Sequence, residues 1–465
     1  MFTMQFDENT RRPKYEQLYR HVRDSITAGA LKEGTKLPSK RKLSAHLAIS
    51  MNTVESAYAQ LTAEGYVEPV EKRGYFVLPV APRTQRDAPA QPAAVHAGRR
   101  KREAPAPAHD LKNNAVDTGA FPFSTWSRLM RDSLREDHAE LLKELHPQGD
   151  TQLREEIAGH LREYRNIRIS PERIILGAGS VYLLGILTEL LPRRKFAIED
   201  PGYYMIARTL QSRNVPFDAI ATDDEGMRSD MLRKSRASVC FLTPSNQFPL
   251  GTVMTIGRRT RLLDWAAEKP DRYLVEDDYD SDYRYALKPA PALHSLDHDG
   301  RVVYLNTFAR TLTPSLRIAY MVLPESLMET YWPRRKFHSC TVSGFEQRTL
   351  WRFLRDGHYE RHLNRMRTIY KRRRNILLRG LSPLSARLAV SGSEAGLHLL
   401  LRSRKGMTEA EMVRRAAARD VRVYGLSGFY HNRIGEMNTV VAGYGGLREE
   451  DLGKAAAALC RAWAK

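Results

Sequence analysis

Two sets of residues in this chain have the types and spacing to do chemistry. The first is a series of polar turns, each entered from a short apolar run. Residues 174–176 lead into Gly177-Ala178-Gly179-Ser180, 196–198 into EDPGYY with Tyr203, and 239–242 into TPSNQFPLG with Asn246. Residues 273–275 lead into EDDYDSDYRY with Asp277 and Tyr279, and 302–305 into TFARTLTPSLR with Thr307, Arg310 and Arg317. A turn of small residues that opens a helix binds phosphate, because free amides and the helix dipole point at the anion. A tyrosine such as Tyr203 can cover one face of a flat ring. The second set lies before residue 80: Ser39 and Arg41 in LPSKR, Asn52 and Thr53 at the start of a helix, and Lys72, Arg73 and Gly74 between two short strands. Asn can read adenine edges, Ser and Thr can bind phosphate, and Gly lets a loop approach closely.

Positioning the second set takes three helices and a hairpin. Tyr15, Leu18, Val22 and Ile26 recur at helical spacing, and Gly29 closes that helix. Ser39 caps a second helix that buries Leu43 and Leu47. A third runs over 52–64, with Val54, Tyr58 and Leu61 on one face and Gly65 after it. Stretches at 67–70 and 75–78 flank Glu71-Lys72-Arg73-Gly74, a hairpin with a basic tip. This is the layout of a winged helix-turn-helix, which sends one helix into the major groove and its wing to the backbone or minor groove.

Positioning the first set takes a different fold. The apolar runs above, with one more at 318–322, alternate with helical stretches, which predicts a largely parallel sheet covered by helices, with ligands beyond the strand C-terminal ends. At 465 residues the chain is long enough for several domains. We divide it into a winged helix-turn-helix over 1–79, an Ala/Pro/Arg-rich linker over 80–110 with too few apolar side chains to order itself, and an α/β domain over 111–465.

With 42% hydrophobic and 28% charged residues the composition is that of a soluble globular protein, and the most apolar stretch, 181–191, is broken by Gly185 and Glu189. No membrane span or signal pattern is read, so a cytoplasmic location is expected. The three cysteines, Cys240, Cys340 and Cys460, lack metal-ligand spacing and read as buried thiols in a reducing compartment; no metal site is expected. The net charge of +20 favours a polyanionic partner, yet residues 1–79 hold only 12 Lys/Arg against 9 Asp/Glu. Runs such as Arg334-Arg335-Lys336 and Lys371-Arg372-Arg373-Arg374 read as solvated helix faces.

GTKLPSKRKLSAHLAISMNTVESAYAQLTAEGYVE followed by GYFVLP resembles the GntR family of bacterial transcription regulators. The resemblance implies DNA contacts for Ser39, Arg41, Asn52, Thr53, Lys72, Arg73 and Gly74; Met51 stands where that family usually has arginine. The five polar turns, in their order, are similar to fold-type I aminotransferases, which use pyridoxal 5'-phosphate (PLP). Together the two halves resemble the MocR-type subfamily, in which a GntR winged helix is fused through a linker to an aminotransferase-like domain with a large sheet domain and a small C-terminal α+β subdomain. For cofactor binding, the resemblance implies Asp277 on the pyridine nitrogen, Tyr279 near the ring oxygen, Tyr203 stacked on the ring, and Ser180, Thr307 and Arg317 on the phosphate. Asn246 stands where relatives commonly carry histidine, either at the ring edge or as part of a structural turn. Homodimers that read two DNA half-sites are implied as well.

Three departures weigh against catalysis. Arg310 occupies the Schiff-base lysine position, and a guanidinium with a pKa above about 12 supplies no unprotonated amine. Val181-Tyr182 replaces a common glutamine pair, and MNTVVAGYGGL has no arginine near Asn438 for a substrate carboxylate, although Arg433 is close in sequence. Arg310 can pair with the phosphate of a noncovalent coenzyme, bind an acidic ligand, or simply fill the cavity. The expectation is a DNA-binding transcription regulator whose catalytically silent domain senses a small effector: noncovalent PLP, or an amino-acid-like or acidic metabolite. Two alternatives stand beside it. One is an active PLP-dependent aminotransferase using another lysine such as Lys288 or Lys336, and the other is a ligand-free DNA-binding scaffold.

Overall fold

The structure is a computed structural model that describes residues 4, 6–7, 12–79, 107–113, 115–136, 138–285, 291–432, 435 and 437–464. These fall into two compact units, one within 1–104 and one within 105–465. Most of the expected linker, 80–106, lies outside the described residues, as do Lys288 and Arg433.

In the first unit the helix Lys14–Thr27 buries Leu18, Val22 and Ile26. Tyr15, expected beside them, is 38% exposed, because Tyr19 takes the inward place on the first turns. The helix Lys40–Leu47 is capped as expected, with the Ser39 hydroxyl accepting from the Lys42 amide at 3.3 Å. The third helix, Met51–Ala63, starts one residue early because Ser50 is its cap, its hydroxyl accepting from the Thr53 amide at 3.2 Å. Val54, Ala57, Tyr58 and Leu61 form its buried face. Strands Val67–Val70 and Gly74–Val77 pair antiparallel, with Val67 opposite Val77 and Val70 opposite Gly74. Residues 34–37 add to the hairpin edge, where the Leu37 amide donates to the Tyr75 carbonyl at 2.9 Å and the Val77 amide to the Thr35 carbonyl at 3.1 Å.

The second unit is built on an eight-stranded sheet. Its strands lie in the order Ile174–Gly177, Ala319–Val322, Val302–Thr307, Tyr273–Asp277, Val239–Leu242, Phe196–Asp200, Phe217–Asp223 and Gly226–Met227. The five strands from Val302–Thr307 to Phe217–Asp223 are mutually parallel, while Ala319–Val322 is antiparallel to both its neighbours. Six strands were expected from their apolar runs and all six form; Phe217–Asp223, whose residues are mostly half-buried, and the two-residue Gly226–Met227 were not expected. Both faces are covered. Ile175, Ile198, Phe241, Val275 and Leu305 join one hydrophobic cluster with the helices Ser180–Leu190 and Tyr204–Ser212, while Ala197, Cys240, Leu242 and Leu274 join another with Ile256–Ala267. Burial on both faces explains why these strands read as continuous apolar runs.

A second, antiparallel sheet of Leu388–Ser391, His398–Ser403, Thr439–Gly443 and Tyr424–Gly425 shares a core with the helices His358–Leu381 and Glu449–Trp463. His109–Asp110 pairs in parallel with Val421–Arg422, so this unit takes in residues 109 and 110, which the sequence had placed in the linker.

Candidate functional site

Strand registry brings the polar turns together. Asp277 lies opposite Leu305, Thr307 opposite Ala319, and Ala319 opposite Gly177, so the ends of four strands meet at one edge of the sheet. Because Ala319–Val322 runs against its neighbours, its first residues, with Arg317 just before them, arrive beside the Gly177 turn. A cavity of about 230 Å3 opens there. Ser180, Tyr203, Asp277, Tyr279, Thr307, Arg310 and Arg317 line it, with Gly179, Val181, Thr243, Phe248, Ala309 and Pro314. No lysine is among the lining residues.

At one end of the cavity, Gly179 precedes the helix Ser180–Leu190 with φ of 98° and gives its amides no side-chain cap. Arg317, itself left-handed at φ of 55°, reaches across this turn and donates from Nη2 to the Ala178 carbonyl at 3.0 Å. A fixed guanidinium and uncapped amides on one turn suit an anion. Thr307 is turned to its own strand end: its hydroxyl donates to the Ile318 carbonyl at 3.3 Å and accepts the Ala309 amide at 3.1 Å.

Asp277 and Arg310 lie deeper. Asp277 is buried, and its Oδ1 has no hydrogen-bond partner. Burial, with Asp278, Asp280 and Glu199 nearby, pushes its carboxyl up to about 8, against the opposing pull of Arg310. Arg310 is 8% exposed, and neither Nε nor either Nη finds a hydrogen-bond partner among the described residues. Its guanidinium carbon sits 5.5 Å from the ring centroid of Tyr279. Tyr203 packs edge-on to Phe248, with centroids 5.7 Å apart. Burial raises the phenols of Tyr203 and Tyr279, so both stay protonated donors at neutral pH.

Asn246 is not on the cavity wall. Its Nδ2 donates to Asp280 at 2.8 Å, and its carbonyl accepts the Tyr279 hydroxyl at 3.1 Å, so it holds Tyr279 and Asp280 in place. The sequence did not single out Thr243 and Phe248, although both lie in or beside the TPSNQFPLG turn that it did single out. The Thr243 hydroxyl donates to the buried Glu199, whose carboxyl burial pushes up to about 7. Lys336, one of the lysines considered for catalysis, instead lies 5.0 Å over the exposed Phe337 ring. Among the described residues no cluster of His, Cys, Asp and Glu could hold a metal ion, and no helix is long and apolar enough to cross a membrane.

In the small unit Ser39, Arg41, Asn52, Lys72 and Arg73 are exposed, and Thr53 is half-buried beneath its bond to Ser50. Lys40 ties the elements that carry them, pairing with Glu55 on the third helix at 2.5 Å and lying 5.7 Å from the ring centroid of Tyr75 on the wing. Tyr58 donates to the Pro38 carbonyl at 2.9 Å, locking the third helix to the turn before the second. Gly74, at φ of 112°, closes the tip, and Arg73 covers the Phe76 ring at 5.5 Å.

Residues 14–77 match the bacterial regulatory proteins of the gntR family, and residues 110–433 match aminotransferase class I and II. Over 460 residues the chain is 38% identical to the uncharacterized HTH-type transcriptional regulator YhdI of Bacillus subtilis (strain 168), covering 98% of this chain and 97% of that protein. It is 32% identical over 449 residues to the probable rhizopine catabolism regulatory protein MocR of Rhizobium meliloti, covering 94% and 90%. The chain belongs to the MocR-type GntR regulators. Like other MocR-type regulators it joins a helix-turn-helix unit to an aminotransferase-like one. The latter resembles the multiple substrate aminotransferase from Thermococcus profundus with a TM-score of 0.70 at 25% identity, over 78% of this chain and 92% of that one. Aminotransferases of this fold normally bind PLP.

Proposed function

We propose that this MocR-type transcription regulator uses its aminotransferase-like unit as a noncatalytic sensor of a small phosphorylated or acidic ligand, with Arg310 at the position of the catalytic lysine. One observation carries the reading: the cavity contains a buried guanidinium without a hydrogen-bond partner and, among the described residues that line it, no lysine. A guanidinium stays protonated at any physiological pH, so it can hold an anion but cannot anchor a coenzyme covalently.

The cavity fits noncovalent PLP on three counts. The orphaned Oδ1 of Asp277 accepts from a pyridinium nitrogen, the uncapped turn at Gly179 with Arg317 receives a phosphate, and Tyr203 covers a ring face. Bound PLP supplies an electron-withdrawing ring. The chain's residues orient it, with Asp277 facing the pyridine nitrogen, and among the described residues that line the cavity none offers an amine to attack it or to move a proton at its reactive carbon. Catalysis through this pocket is therefore not part of the proposal.

Two copies would pair through the aminotransferase-like unit and place two winged helices on two half-sites, with Ser39, Arg41, Asn52, Thr53 and the wing Lys72-Arg73-Gly74 on the DNA. Ligand binding changes transcription only through different affinity for the DNA-competent and incompetent arrangements, a coupling that is typically about 1–3 kcal/mol. The test is to incubate the purified protein with PLP, reduce with borohydride and map lysine adducts while following thermal stability. Stabilisation without a pocket adduct is expected. A stoichiometric adduct in the pocket defeats the reading, and no stabilisation by PLP, phosphate or amino acids leaves a ligand-free scaffold.

A further inference from the structure

We infer that Arg310 reads an anion on the ligand: the pocket takes a small molecule with a phosphate at the Gly179 turn and a carboxylate in the fork of Arg310. This rests on the noncatalytic sensor reading above and names its ligand class. Three groups around one cavity of about 230 Å3 make three separate demands. Arg317 and the uncapped amides ask for one anion. The Oδ1 of Asp277 asks for a donor such as a ring N–H. Arg310 asks for a second anion.

That last demand is the strongest. The side chain is more than nine-tenths buried, and all three guanidinium nitrogens lack a hydrogen-bond partner among the described residues. Asp277 and Asp280 act on its charge only through space, and none of its described neighbours gives it a hydrogen bond. Asp280 is bonded to Asn246, Asp277 gives Arg310 no hydrogen bond, and Tyr279 offers only a ring face at 5.5 Å. Both Arg310 and Arg317 act on the Tyr203 hydroxyl, so the two cationic poles share one small space.

A carboxylate is the group that the planar fork matches with two parallel hydrogen bonds. An aldehyde gives it one neutral acceptor, and an ammonium is repelled. Among molecules of the PLP type, the preferred form therefore carries a carboxylate where PLP has its aldehyde. A sensor built this way distinguishes the oxidation and amination state of one carbon while holding the rest of the ligand identically.

The experiment uses the full chain, freed of bound phosphate compounds, and titrates four probes by calorimetry at fixed pH and salt: PLP, its 4-carboxylate analogue, pyridoxamine 5'-phosphate and inorganic phosphate. The carboxylate analogue is expected to bind at least about tenfold more tightly than PLP, with pyridoxamine 5'-phosphate weaker than both. In Arg310→Gln that preference shrinks to within about threefold, with circular dichroism confirming the fold. If Arg310→Gln does not fold, Arg310→Met takes its place, and the wild-type series alone still decides. Equal binding of carboxylate and aldehyde, or a preference that survives loss of Arg310, overturns the inference and leaves the sensor reading standing. If no probe binds, the reading of a phosphorylated ligand falls and the inference falls with it.

Discussion

Arg317 lies across Gly179 so closely that a β-carbon at position 179 would sit 2.5 Å from its Nη2. The contact is with the flexible end of a side chain, so the arginine would swing away rather than block folding. It would also leave the anion turn. In addition, Gly179 has φ of 98° and ψ of 161°, a conformation that side-chain-bearing residues rarely adopt. Gly179→Ala is therefore expected to cost about 1–3 kcal/mol of stability and to weaken inorganic phosphate or PLP binding by about tenfold or more. Thermal melts and calorimetry separate the two effects. Unchanged phosphate affinity in a folded variant excludes this turn as the anion site.

Asp277 and Asp278 are adjacent in sequence, and their carboxyls are shifted in opposite directions. Burial pushes Asp278 up, but the Arg165 guanidinium at 2.7 Å and the hydroxyls of Ser245, Tyr304 and Ser281 outweigh it and hold that carboxyl low. Asp277 has no such partner and is raised to about 8 from its ordinary 3.8. A folded pKa above the unfolded one means that the native state holds the proton more tightly. Below pH 4 both states are protonated and nothing is lost. As pH rises from 4 to 8 the unfolded chain ionises first, so Asp277 progressively destabilises the ligand-free protein, and the loss is complete above 8. Asp277→Asn removes this dependence: its melting point should match wild type near pH 4 and exceed it near pH 8. The difference between the two curves isolates Asp277 from Glu199 and Asp280, which burial also raises, each to about 7. Parallel curves for the two proteins would show that Asp277 keeps its charge by another route.

The sheet and the polar turns were legible because the central strands are buried on both faces and so appear as apolar runs that end in Gly, Pro and acidic residues. Phe217–Asp223 was not, since its half-buried residues leave no such run. The winged helix was legible from its helical spacing and turn residues, but the start of its third helix is fixed by the Ser50 cap, a polar residue that leaves no mark on the apolar spacing. Within EDDYDSDYRY, spacing alone could not say which acid faces the cavity. That choice is made by Arg165, at the end of the helix Thr151–Arg165, which claims Asp278 from more than a hundred residues away in sequence. Asn246 illustrates the same limit, because its partner Asp280 comes from another strand end.

On the DNA side, Arg41 is exposed at the start of the second helix and Arg73 at the wing tip, with no acidic partner for either among the ion pairs of the described residues. Arg41→Ala and Arg73→Ala should each weaken binding to the protein's own upstream DNA. Each should also reduce the slope of log affinity against log salt by about 0.9 per phosphate contact removed. Fluorescence anisotropy across a salt series measures both. If both variants keep wild-type affinity and slope, these side chains do not touch phosphate.

Arg310 should behave as a residue kept for binding at the expense of stability. A buried charged group without hydrogen bonds is costly, and the cost disappears when an apolar side chain of similar length takes its place. Arg310→Met is expected to raise the stability of the ligand-free protein by about 1–3 kcal/mol while removing the preference for a carboxylate over an aldehyde at that end of the ligand. Arg310→Lys asks the complementary question, because it places an amine at the position proposed to match the catalytic lysine. Residue 310 lines the cavity together with Asp277, Tyr203 and Tyr279, so that amine should form a borohydride-reducible adduct with PLP that wild type does not form, mapping to residue 310 by mass spectrometry. Gain of the adduct without gain of transaminase turnover would mean that the rest of the pocket, including the segment near Asn438 with its missing arginine, also lacks what a substrate needs. Failure of the lysine to react while PLP still binds would mean that position 310 does not face the reactive carbon, and the equivalence between Arg310 and the catalytic lysine would be lost.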